Sequence, residues 1–183
     1  MDRIFAPWRI EWVERDADPI DGCPFCVLPE REDAREARIV ARSERNYVLL
    51  NNAPYNPGHA MVIPDAHVED PTDLDDATLF DHAKLTAATL DALRRDMDPD
   101  GVNTGRNLGG DAAGGSVDHL HTHVVPRWSG DTNFMPVTGD TKVIVEAIER
   151  TYDHLHDGFA ADDAVVDSGD ADAGDAVELD FEV

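Results

Sequence analysis

At 183 residues the chain is long enough to bury one sizeable core and short for two full domains. Its 39 Asp and Glu against 15 Lys and Arg give a formal net charge of −24, and no Lys/Arg stripe of the kind that grips a nucleic-acid backbone is present. Nowhere do about 18 apolar residues run without a charge. The first residues, MDRIFAPWRIEWVERD, lack the basic-then-apolar order of a secretion signal. The expectation is a cytoplasmic protein with neither a membrane span nor a nucleic-acid partner.

Only two lysines occur, Lys84 and Lys142. Self-repulsion on this scale destabilises a compact state, but molar salt shortens the Debye length to about 3 Å and screens it. Nine acidic residues lie in 158–183, so −15 remains on 1–157 and the acidity is not confined to a tail. The composition predicts adaptation to a salt-rich cytoplasm, such as that of a halophilic archaeon.

In chain order, residues 1–37 form an N-terminal segment, irregular at first, with Phe5, Trp8 and Trp12 as aromatic anchors. Within it, GCPFC carries Cys23 and Cys26. In a reducing cytosol this C-x-x-C reads as a metal half-site or a redox pair rather than a structural disulfide. RIVARS (38–43) and YVLLNN (47–52) read as a hairpin, APYNPG (53–58) as a turn, and HAMVIP (59–64) as a third strand. Leu74, Ala77, Phe80, Leu85, Ala88 and Leu93 recur near helical spacing over 73–97. VNTGRN (102–107) and VDHLHTHVVP (117–126) read as strands flanking GGDAAGGS, and 141–156 as a second helix. The tail 158–183 has no basic residue and is expected to be disordered. The predicted fold is α+β: one domain over 1–157, with an antiparallel sheet of about five strands and two main helices.

The tetrapeptide DHLH occurs twice. In the strand copy side chains alternate between faces, so His119, His121 and His123 project together while Leu120, Thr122 and Val124 face the other way. Three imidazoles on one face are costly as plain core, because each ring nitrogen needs a partner; they suit a metal or an anionic group such as phosphate. The copy at 153–156 lies in a helical pattern, where positions two apart diverge by about 200°. His154 and His156 are expected to be surface residues near a helix C-terminus, outside any site.

HLHTHVV followed by PRW resembles the histidine triad motif, H-x-H-x-H. Upstream, LLNNAPYNPGHAMVIPDAH resembles the second signature of that superfamily. NLGGDAAGGSVDHLHTHVVPRWSGDTNFMP is most similar to the diadenosine tetraphosphate phosphorylase branch. The resemblance covers about 23–152 and implies a nucleotide-binding α+β fold, a homodimer, and cleavage at the α-phosphorus of a nucleotide. It implies His121 as the nucleophile, His123 at the phosphate oxygens and leaving group, His119 as the first triad member, and His59 as a fourth histidine beside the nucleophile. Asn51 matches the ribose-binding position, and Asn107 a contact to the phosphate chain. Gly114, Gly115 and Ser116 would bring backbone N–H groups to phosphate, although without G-K-[ST] this is no P-loop. Trp128 would stack on a base or simply pack.

Some members of the superfamily bind structural zinc through C-x-x-C, the histidine of I-P-x-x-H and the first triad histidine. Cys23, Cys26, His67 and His119 supply that set, which has the closed tetrahedral composition of a structural site; no organic cofactor is implied. The resulting expectation is a nucleotidyltransferase or hydrolase acting on diadenosine polyphosphates, with phosphate or water resolving a nucleotidyl-His121 intermediate. The alternatives are a nucleoside phosphoramidate hydrolase and a non-catalytic nucleotide-binding zinc module. A C-x-x-C oxidoreductase fits less well, because GCPFC does not open a helix after a strand.

Overall fold

The computed structural model describes residues 22–113, 117–131 and 147–181. Their centre is a seven-stranded sheet in the order β4-β5-β3-β2-β1-β7-β6. The five strands anticipated from the sequence are β1 (Ile39–Arg42), β2 (Asn46–Leu50), β3 (Ala60–Pro64), β4 (Gly101–Gly105) and β5 (Thr122–Arg127). They pair antiparallel throughout. β5 starts at Thr122 rather than 117, since the chain just before it bonds elsewhere: Leu120 N–H donates to the Val68 carbonyl at 2.6 Å.

Two further strands, β6 (Val165–Asp167) and β7 (Val177–Leu179), correct the expectation of a disordered tail from 158. β7 joins the free edge of β1 in parallel, Ala41 opposite Val177, so the sheet is mixed rather than purely antiparallel. The physical reason lies in Val177-Glu178-Leu179: Val177 and Leu179 are buried with a polar residue between them, the period of a half-buried strand. Asp170 closes the loop ahead of it, its carboxylate accepting from the Asp172 and Ala173 amides.

Helix α1 (Pro24–Val27) and α2 (Ala34–Ala37) lie in the N-terminal segment; α3 (Asp76–Met97) and α4 (Ile148–Ala160) are the two main helices. Asp75 caps α3, accepting from the Thr78 amide at 2.7 Å. α3 and α4 cover one face of the sheet, burying Leu85, Ala92, Leu93, Leu155 and Phe159 against Val40, Val48, Val62 and Val124. Their crossing is close at Gly158, where a Cβ would stand 2.7 Å from the Ala92 carbonyl oxygen. On the other face, Phe25, Ala34 and Ala37 pack on Ile39, Tyr47, Leu49, Met61 and Ile63.

Tyr152, Leu155, His156 and Phe159 share the inner side of α4. His156 is therefore buried and stacked on Tyr152 at 6.1 Å, not the surface residue expected. His154 is half-buried, accepting from Arg150 Nε at 3.4 Å.

Candidate functional site

The site forms on the sheet face opposite α3 and α4, where β3 and β5 run side by side with Met61 opposite His123. Side chains alternate, so His59 and Met61 from β3 and its approach share this face with His121 and His123. Gly58 sets His59 in place: its φ is +80°, and a Cβ there would meet Met97 and Pro126 at 2.8 and 2.9 Å. Only glycine accepts that conformation and that space together.

Hydrogen bonds fix which ring nitrogen carries each proton. His121 is buried at 7 % exposure, and its Nδ1 lies 2.7 Å from the His119 carbonyl oxygen. A carbonyl only accepts, so Nδ1 holds the proton and Nε2 keeps the lone pair. The Tyr55 backbone amide donates to His59 Nδ1 at 3.1 Å. Neutral His59 is therefore protonated on Nε2, which donates to His123 Nδ1 at 3.0 Å. That bond in turn leaves the His123 proton on its Nε2. The His121 and His123 rings meet edge to face at 4.8 Å, and Tyr55 stacks on His59 at 4.8 Å. The result is a nucleophilic nitrogen beside a protonated one.

Cys23, Cys26, His67 and His119 converge as well, their ligand atoms all within 4.8 Å of one another. The α1 turn pairs the two thiols, with the Cys26 amide donating to the Cys23 carbonyl at 3.0 Å. Cys23 Sγ to His119 Nδ1 is 3.4 Å, Cys26 Sγ to His67 Nδ1 3.2 Å, and Cys26 Sγ to His119 Nδ1 3.6 Å. Zinc–ligand bonds of about 2.3 Å to sulfur and 2.0–2.1 Å to nitrogen at tetrahedral angles put S and N about 3.6 Å apart. His119 Nε2–H donates to the Pro64 carbonyl at 2.8 Å, which leaves Nδ1, the nitrogen facing the thiols, as the lone-pair donor. Burial holds His119 below the usual imidazole range, and burial with the neighbouring Cys23 pushes the Cys26 thiol up; a bound divalent cation would reverse that by taking the thiolate. The donor set fits zinc.

The two clusters touch. His119 gives its side chain to one and its carbonyl to the other. Phe25, between the cysteines, sets its ring edge-on to His121 at 5.2 Å and to His119 at 5.7 Å. The buried Tyr47 hydroxyl holds the Phe25 carbonyl at 2.6 Å.

Asn51 sits at the end of β2, its amide donating to the His59 carbonyl at 2.9 Å. Its side chain closes a local turn by accepting from the Ala53 amide. Asn107 lies two residues past β4 and is half-buried. Trp128, at the end of β5, is half-buried and is held through its backbone, its amide donating to Asp131 at 3.2 Å. Gly114, Gly115 and Ser116 lie outside the described residues, as do Phe5, Trp8 and Trp12.

Several residues here drew no role from the sequence. Asp131 binds Arg127 through two hydrogen bonds, at 2.6 and 2.8 Å, and accepts from Asn56 at 2.8 Å. Asn56 also donates to the Pro126 carbonyl. This clamp ties the turn that presents His59 to the end of the triad strand. Hydrogen bonding to Arg127 holds the Asp131 carboxyl well below the usual carboxylate range. The signal was present in W-S-G-D, an aspartate four residues past the end of β5. Phe25 could have been noticed as the aromatic enclosed by the two thiols.

A histidine-triad domain model, described as "HIT domain", matches residues 32–130. The chain is 40 % identical over 163 residues to an AP-4-A phosphorylase of Mycobacterium tuberculosis, covering 82 % of this chain and 80 % of that protein. Among solved structures it is similar to a zinc-bound histidine triad family protein from Mycobacterium smegmatis, at TM-score 0.61 and 27 % identity, covering 76 % of this chain and 94 % of that one. A hypothetical histidine triad nucleotide-binding protein from Sulfolobus tokodaii gives TM-score 0.61 at 26 % identity, covering 75 % and 91 %. With His121 and His123 meeting across one sheet face and the family model spanning both strands that carry the site, the chain belongs to the HIT domain family.

Proposed function

We propose that the protein cleaves dinucleoside polyphosphates by way of a nucleotidyl-His121 intermediate. The observation that carries this reading is the 2.7 Å hydrogen bond from His121 Nδ1 to the His119 carbonyl, which makes Nε2 the nucleophilic nitrogen. In the first step Nε2 attacks the α-phosphorus: the N–P bond forms, and the bond from phosphorus to the bridging oxygen breaks. The departing polyphosphate oxygen leaves as an anion and accepts a hydrogen bond from His123 Nε2–H, and His59, donating to His123 Nδ1, holds that ring in the donating tautomer. In the second step an acceptor oxygen attacks phosphorus, the N–P bond breaks, and His121 is restored. Splitting one displacement into two lowers each barrier. Asn51 would take the ribose hydroxyls; Asn107 with Gly114, Gly115 and Ser116 would take the phosphate chain.

The acceptor in this reading is inorganic phosphate, the reading favoured by the similarity to the mycobacterial AP-4-A phosphorylase. Cys23, Cys26, His67 and His119 would hold zinc with no ligand position left for water, so the metal would fix structure and not activate a nucleophile. The homodimer expected from the resemblance would use the outer edge of β4, the terminal strand of the sheet on that side. Among the described residues no helix is long and apolar enough to cross a membrane.

The test is product analysis in concentrated KCl with diadenosine tetraphosphate, with and without inorganic phosphate. ADP plus ATP formed only with phosphate is the expected result. AMP plus ATP would make the enzyme a hydrolase. Turnover of a nucleoside phosphoramidate with none of the dinucleotide overturns the substrate, and no turnover of either overturns the reading.

A further inference from the structure

The opposite face of the triad strand carries a polar chain that the reaction above does not use. Thr122, between His121 and His123, points towards α3, into a region otherwise packed with Val62, Val124, Leu85 and Leu93. Arg106 Nε donates to Thr122 Oγ1 at 2.7 Å. Thr122 Oγ1 lies 2.7 Å from Nε2 of fully buried His82, and His82 Nδ1 lies 2.8 Å from Asn46 Oδ1. The Asn46 amide nitrogen donates to Asp81 at 2.7 Å, and Asp81 also accepts from the Ser43 hydroxyl and the Arg45 amide.

The direction of every link is determined. Asn46 offers its oxygen to His82 because its nitrogen is engaged with Asp81, so His82 Nδ1 donates and Nε2 accepts. Thr122 must then donate to His82, which leaves its oxygen lone pairs for Arg106. The chain runs one way, from a cation to a carboxylate, with one donor and one acceptor at each step. A buried polar network rarely adds net stability over apolar packing; what it provides is one specified geometry.

The geometry it specifies is at the root of the phosphate segment. β4 and β5 pair in register up to Gly105 opposite His123, and the Arg106–Thr122 bond continues that register one residue beyond the ladder. By alternation the next residue, Asn107, falls on the histidine face beside His121. We infer that Arg106, Thr122 and His82 are positioning residues that anchor the start of the 106–113 segment to the triad strand, and so set where the polyphosphate lies relative to His121. This deepens the function proposed above and rests on it for the identity of the ligand.

The test measures binding and mobility apart from turnover, with Arg106→Met, Thr122→Val, the double variant and Thr122→Ser. Arg106 is exposed, so its replacement leaves the core packing untouched. Each of Arg106→Met and Thr122→Val should weaken ATP binding by calorimetry and raise KM for diadenosine tetraphosphate about tenfold, with kcat changed less than about threefold. Amide hydrogen exchange at 105–109 should quicken in both. The double variant should be no worse than the poorer single one, because both break the same tie, and Thr122→Ser should restore wild-type values. Wild-type exchange at 105–109 in Arg106→Met, or losses that multiply in the double variant, would overturn the inference. Absence of wild-type turnover would overturn the proposed function alone, since ATP affinity and exchange still decide this point; were ATP not bound either, exchange decides it.

Discussion

His82 makes folding stability depend on pH in a way the structure fixes in sign and size. The ring is fully buried, and burial, with the charge of Arg106 adding to it, pushes its pKa down to about 4, against about 6.5 in an unfolded chain. Above pH 7 neither state holds the extra proton. As pH falls through 6.5 the unfolded chain takes it up and the folded chain does not, so stability declines until the pH passes about 4. The gap of about two and a half units, at about 1.36 kcal/mol each, gives a total loss of about 3 kcal/mol, of which about 2 is reached by pH 5. The assay is urea unfolding in molar KCl from pH 7.5 to 5, comparing the wild type with His82→Gln. Subtraction removes the titration common to both, including that of the buried His119 and His156. Near pH 7.5 the wild type should be more stable by about 1–3 kcal/mol, the cost of orphaning Thr122 or Asn46 in the variant. That advantage should shrink by about 2 kcal/mol at pH 5. A difference that stays constant over this range would refute a neutral, buried His82.

Three further outcomes are expected. His121→Ala should abolish turnover while nucleotide binding stays measurable by calorimetry; full activity would remove the nucleophile assignment. Cys23→Ser should lower bound zinc from near one equivalent, read by metal analysis, and reduce turnover with it, because His119 joins the metal cluster to His121; unchanged metal content would count against the four-ligand set. With a net charge of −24, the melting temperature should rise steadily from about 0.1 to 1 M KCl as the Debye length falls from about 10 to 3 Å; a flat profile would argue against adaptation to a salt-rich cytoplasm.

Much of the site was legible because it is carried by short-range periodicity. Alternation alone put His121 and His123 on one face and Thr122 on the other. What that face meets is a tertiary matter: Thr122 looked like any residue turned towards a core, and only the docking of α3 brings His82 to it. The two C-terminal strands escaped notice because Asp, Ala and Gly surround them. Their apolar signal is as short as Val177 and Leu179, and it gains meaning only beside the open edge of β1. His156 was misjudged for a related reason, as the inner side of α4 is set by the strands it covers. Asp131 and Asn56 act through a clamp between segments far apart in sequence, which no local pattern encodes.

The pairing of β7 with β1 also bears on how the chain is made. Among the described strands β1 leaves the ribosome first and β7 last, so Ala41 finds Val177 only after the strands between them have been made. Until then the outer edge of β1 presents unpaired backbone groups, a template for pairing with other chains. Contacts this distant in sequence slow folding, and partly folded chains with open strand edges aggregate readily. The sheet is closed on this side only once β7 has been made, and until then the net −15 carried by residues 1–157 is the charge that holds open edges of neighbouring chains apart.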